Sequence, residues 1–229
     1  MLSTVSLVAA CGSSVPATES GSSSSSAPPV AVARLDDDAC LESPPTGRID
    51  RGAHDLQFHT GGIRVAVADP ESAAGGTPPT SAVASGVDDA CYGFARWGNP
   101  APEVPPDSLL FVFKGPGTEG AQIEFLAGEL TGGVLPPIGT VRPRVGPLTD
   151  PLGAEIGVSV DGSYYHATSC PLTITAMSSV RAAGSFTCPT ATRRDANPFA
   201  PDDDVSFDAD ESTPVPAAVS LSGWFAITP

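Results

Sequence analysis

Ile156-Gly-Val-Ser-Val160-Asp161-Gly162-Ser163-Tyr-Tyr-His-Ala-Thr168 is the stretch that decides the fold. Two alternating segments flank an Asp-Gly pair. Such a pair favours a two-residue type I′ turn, because both residues tolerate positive φ. A two-residue loop sets Val160 against Ser163, Val158 against Tyr165 and Ile156 against Ala167. Side chains alternate along a strand, so the apolar set shares one face and Tyr164 and His166 fall on the other.

Working outward, Cys170–Ser178 and Val180–Cys188 are expected to fold back about Ser179. Cys170 then opposes Cys188 and Leu172 opposes Phe186, with Cys170, Leu172, Ile174 and Phe186 on one face. Directly opposed cross-strand cysteines are close enough to bond. Four cysteines allow three connectivities; this register favours Cys170–Cys188 and leaves Cys40–Cys91.

Upstream, Leu109–Phe113 reads as a buried strand, Gly115-Pro-Gly117 as a turn and Ala121–Leu126 as a second strand. Leu56-Gln-Phe58 and Ile63–Val67 read as strands flanking Thr60-Gly-Gly62. Ser72–Pro79 is a loop without periodicity, and residues 132–153 are Pro/Gly-rich and expected to be extended. Val205-Ser-Phe207 and the long alternating Val219–Ile227 close the chain. Short strands with turn punctuation predict an all-β fold, an antiparallel sandwich or barrel-like domain over residues 39–229.

The composition agrees. A length of 229 residues suits one domain and a tail, and 41% hydrophobic residues suffice for a core. Gly and Pro make up 49 of the 229 residues, a bias against helices. The net charge is −15, and Lys114 is the single lysine beside ten arginines. Nucleic acid is therefore excluded as a partner, as is polybasic docking to anionic headgroups, since both need clustered Lys and Arg. No run approaches the ~20 apolar residues of a membrane-spanning helix.

At the other end stands Met1-Leu-Ser-Thr-Val-Ser-Leu-Val-Ala-Ala-Cys11-Gly-Ser-Ser14. Val8-Ala-Ala-Cys11 resembles the lipobox of bacterial lipoproteins, in which the cysteine carries the lipid. The resemblance implies a membrane partner through a lipid on Cys11, on the outer, extracytoplasmic face of the cell membrane. No Lys or Arg precedes Cys11, so residues 1–10 are expected to be the end of a signal peptide that starts upstream. Residues 11–38 then form a lipidated Ser/Pro tether that cannot bury apolar surface. The cysteine count fits. Five is odd, and assigning Cys11 to lipid leaves Cys40, Cys91, Cys170 and Cys188 for two disulfides. A zinc site would need a C-x-x-C or Cys/His spacing that is absent.

Asp161-Gly-Ser-Tyr-Tyr165 and Gly184-Ser-Phe-Thr-Cys188, with the lipobox and tether, are similar to the small surface lipoprotein antigens of mycobacteria. That resemblance implies a surface-exposed, non-enzymatic lipoprotein and transfers no binding residue.

Neither G-x-S-x-G nor H-E-x-x-H occurs. On a strand, His54 and His59 would face opposite sides, and loop or surface histidine is the ordinary reading for these and for His166. No catalytic residue and no cofactor are expected. Asp202, Asp204, Asp208 and Asp210 could present carboxylates to Ca²⁺, but they lack EF-hand spacing and read more simply as a solvated loop. Tyr92, Phe94, Arg96 and Trp97 concentrate aromatic side chains in a chain with 6% aromatics. Exposed, they would stack on a sugar or anchor a protein; buried, they are core beside a disulfide, the reading given also to Trp224. The expected function is a lipid-anchored binding or structural module for an envelope protein or glycan. The alternatives are a cell-wall-facing hydrolase and an acidic calcium-dependent adhesion module.

Overall fold

A computed structural model describes residues 33–52, 56–70, 89–99, 108–131, 147–200 and 215–229. The expectations for Cys11 and the tether up to residue 32, His54, Ser72–Pro79, residues 132–146, Asp202, Asp204, Asp208, Asp210 and Val205–Phe207 lie outside them. The strands are β1 (Arg34–Leu35), β2 (Thr60–Ala68), β3 (Ala90–Trp97), β4 (Ser108–Lys114) and β5 (Gly120–Leu126). They continue as β6 (Leu152–Val160), β7 (Ser163–Ser178), β8 (Arg181–Arg194) and β9 (Ala218–Thr228). Among the described residues, α1 (Asp38–Leu41) and α2 (Ala127–Thr131) are short helical turns beside them.

From β2 to β9 each strand pairs antiparallel with the next in sequence. β9 then returns to β2, from Thr60 opposite Thr228 to Ala68 opposite Ser220. The fold is a closed eight-stranded up-and-down barrel, with β1 laid on β3 as an extra strand. Closure pairs every strand from β2 to β9 on both sides along at least part of its length.

Alternation fills the interior. Ile63 and Val65 of β2, Phe111 and Phe113 of β4, Ile123 of β5, Ile156 and Val158 of β6, Leu172 of β7 and Phe225 of β9 are essentially inaccessible. Phe58 enters from the chain before β2 and meets Phe111 edge-on at 5.9 Å; Phe225 and Phe125 approach Phe111 at 5.9 and 6.1 Å. An eight-stranded barrel has an interior that side chains of this size can fill.

The β6–β7 hairpin has the predicted register, with Val160 opposite Ser163, Val158 opposite Tyr165 and Ile156 opposite Ala167. Asp161 and Gly162 take φ of 49° and 75°, as a type I′ turn requires. Tyr164 does face outward, yet it is buried. Its ring lies over Gly157, where a Cβ would sit 2.2 Å from Oη, and beside Phe199 at 6.4 Å.

In β7–β8, Leu172 opposes Phe186 as expected, but the turn differs by one residue. Ser178 faces Arg181 across a two-residue turn, and a β-bulge between Ile174 and Ala176 restores the register. The bulged Thr175 is put to use: its carbonyl accepts from Gly47 N and its hydroxyl donates to Pro45 O, both at 2.9 Å.

Two sequence expectations are corrected. Leu56–Phe58 forms no strand, and Thr60-Gly61-Gly62, instead of separating two strands, is the start of β2. Gly61 has φ of 103°, and a Cβ there would lie 2.1 Å from Ala226 O, so the glycine serves close approach of β9. Ala33 is buried, and Arg34 and Leu35 pair with Tyr92 and Cys91.

Candidate functional site

Both expected disulfides are present, Cys40–Cys91 with Cα atoms 5.8 Å apart and Cys170–Cys188 with Cα atoms 4.8 Å apart. The first fastens α1 to β3; the second bridges β7 and β8 within the wall.

Strand parity divides the aromatic cluster of β3. Tyr92 and Phe94 point inward and are buried, as the core reading expected. Arg96 acts as a brace at the end of the strand: Nη1 donates to Val112 O at 3.0 Å and Nη2 to Asn99 O. Trp97 has the opposite parity and keeps 54% of its surface exposed, with the Lys114 ammonium 5.0 Å from its ring centroid. Register then places Trp97 at one end of a lateral row across the outer wall. Val112, Gln122, Gly157 and His166 follow it on β4 to β7. Four interstrand steps span about 19 Å. At the far end His166 Nε2 lies 3.5 Å from Glu155 Oε2, and its ring stacks on Tyr164 at 6.1 Å.

Trp224 is corrected from core to outer surface. It lies half-buried beneath the N-terminal segment, with Nε1 donating to Ala39 O at 3.3 Å and the Arg64 guanidinium 4.9 Å from its ring centroid. The signal was legible: Leu221, Phe225 and Ile227 of the same strand are buried and odd-numbered, so Trp224 had to face away.

Tyr92 closes one end of the barrel. Its hydroxyl donates to Asp161 Oδ2 at 2.5 Å, joining β3 to the β6–β7 turn. Burial, then this hydrogen bond and the Asp161 charge, raises the Tyr92 pKa far above its usual value. Burial also raises the Glu119 carboxyl; the Asp161 backbone N–H opposes that shift and the Asp161 charge adds to it. Tyr164 is pushed up to about 12, first by burial and then by Glu155, with Arg194 opposing. Tyr165 is raised by burial as well.

All three tyrosines of the chain therefore hold their protons more tightly folded than unfolded. A raised folded pKa contributes stability that is complete below the unfolded value of 10.0. That stability is lost as pH rises through the folded values. Ultraviolet titration at pH 10 is expected to show clearly less tyrosinate in the native protein than the about half ionisation expected in urea. Equal ionisation in both would contradict the buried hydroxyls.

Among the described residues no group of three or more His, Cys, Asp or Glu side chains is placed to hold a metal ion. No described helix is long and apolar enough to cross a membrane. The chain matches no family model, no curated protein and no solved structure.

Proposed function

We propose that the chain is a lipid-anchored, extracytoplasmic binding module, held to the membrane through Cys11, that contacts an envelope glycan with Trp97 and performs no catalysis. The observation that carries the binding role is the exposure of Trp97, 54% in a barrel where the other aromatic side chains among the described residues pack inward or against the wall. An exposed indole offers a flat apolar platform of the kind that stacks on a sugar ring. Beside it the outer row supplies the Gln122 amide and the His166–Glu155 pair, polar groups suited to hydroxyls. Two disulfides suit an oxidising compartment outside the cytoplasm.

The test is binding of the full chain to isolated cell-wall glycan, with Trp97→Ala compared at equal melting temperature. An aromatic anchor is typically worth about 2 kcal/mol, so the variant is expected to bind more than about tenfold more weakly. Unchanged affinity would overturn the assignment to Trp97. Metabolic labelling with palmitate tests the anchor separately, with label expected on the parent protein and absent from Cys11→Ser.

A further inference from the structure

We propose that Ala33–Leu41 is a redox-released latch on the weakest seam of the barrel. Among the described residues β3 and β4 share only Ala95–Trp97 opposite Lys114–Val112, whereas β2 and β9 are paired from Thr60 to Ala68. The other edge of β3 is taken by β2 along Ala90–Ala95. β1 must therefore use the same edge as β4, and it occupies the place β4 leaves on turning at Gly115. There Gly93 N donates to Ala33 O at 2.6 Å, Ala33 is buried, and Leu35 covers Gly93 so closely that a Cβ would lie 2.7 Å from its Cδ1.

Two paired residues do not hold a strand by themselves. The non-covalent fastenings are slight. Trp224 Nε1 and Arg64 Nη1 both donate to Ala39 O at 3.3 Å, and Arg64 meets the largely exposed Glu42 carboxylate at 3.1 Å. Leu41, at the end of the segment, is 80% exposed. The bond that decides whether the strap stays down is Cys40–Cys91.

The two disulfides differ in access. Cys40 keeps 9% of its surface exposed, whereas Cys91, Cys170 and Cys188 keep 1% each. A dithiol reductant therefore meets Cys40 first. Its thiolate attacks Cys40 Sγ and expels the Cys91 thiolate, and its second thiol then resolves the mixed disulfide. Two electrons pass from the dithiol, which leaves as a disulfide, and Cys40 and Cys91 become thiols. The strap lifts, and the β3 edge beside Tyr92 and Phe94 is uncovered. Cys170–Cys188 stays closed inside the β7–β8 wall, so the rest of the barrel persists.

The test treats the full chain with limiting dithiothreitol, traps free thiols by alkylation, and follows amide exchange in parallel. Cys40 and Cys91 are expected to be labelled first, with loss of protection at the Gly93 amide and retained protection in β7 and β8. Reduction of Cys170–Cys188 first or simultaneously, or a Gly93 amide still protected after Cys40–Cys91 is open, overturns the proposal. Trp224→Phe keeps both disulfides and removes one fastening of the strap. It is expected to speed reduction of Cys40–Cys91 and leave Cys170–Cys188 unaffected; an unchanged rate also overturns the latch.

Discussion

Phe111→Ala is expected to destabilise the barrel by about 4 kcal/mol, measured by chemical denaturation. The ring is inaccessible to solvent and lies against Phe58, Phe125 and Phe225, so its removal leaves a void among three large rings. A closed wall hydrogen-bonded on both sides cannot readily collapse into that void, which places the cost toward the upper part of the usual range. Leu126→Ala is the control. Leu126 is 49% exposed, and truncation there is expected to change stability by about 0.5 kcal/mol or less. A loss at Phe111 no larger than at Leu126 would mean that the phenyl cluster is not the core.

Gly61→Ala is expected to cost about 3 kcal/mol, the second large effect, by the same measurement. Two causes act together: a left-handed φ of 103° and a new Cβ 2.1 Å from Ala226 O on β9. Gly117→Ala separates them, because Gly117 has φ of 55° but nothing within 4 Å of the new methyl group. Only the conformational cost, about 1 kcal/mol, is expected there. Equal losses at the two glycines would show that β9 does not approach Gly61 as described.

What the sequence made legible was local. Asp161-Gly162 and the parity of its flanking residues define a hairpin over thirteen residues, and its register needs no information from elsewhere. The same reasoning pairs Cys170 with Cys188, even though the turn lies one residue from the expected place. The compensating bulge at Thr175 is held by Pro45 and Gly47, which lie 130 and 128 residues earlier in the chain and leave no mark on the local pattern. Gly61-Gly62 was ambiguous for a related reason. A glycine pair marks a turn or a close approach, and which one applies depends on a strand more than 160 residues away.

The candidate site divides in the same way. Tyr92 and Phe94 on one side of β3 and Trp97 on the other follow from alternation, and strand parity would have placed Trp224 on the outer wall too. The Tyr92–Asp161 hydrogen bond and the seat of Ala33–Leu35 on β3 depend on how the barrel closes, so no spacing in the chain foretold them. Arg34 and Leu35 stand in a stretch that reads as tether, and only their pairing with β3 shows that these two residues join the wall.

Closure of β2 on β9 is the claim on which the core, the seam and the outer row all depend. Cross-strand nuclear Overhauser contacts between these strands test it most directly. They are expected along the whole register, from Thr60 with Thr228 through Val65 with Gly223 to Ala68 with Ser220. Amides of β2 and β9 that exchange as free edges, with no contacts between the two strands, would contradict the closed barrel.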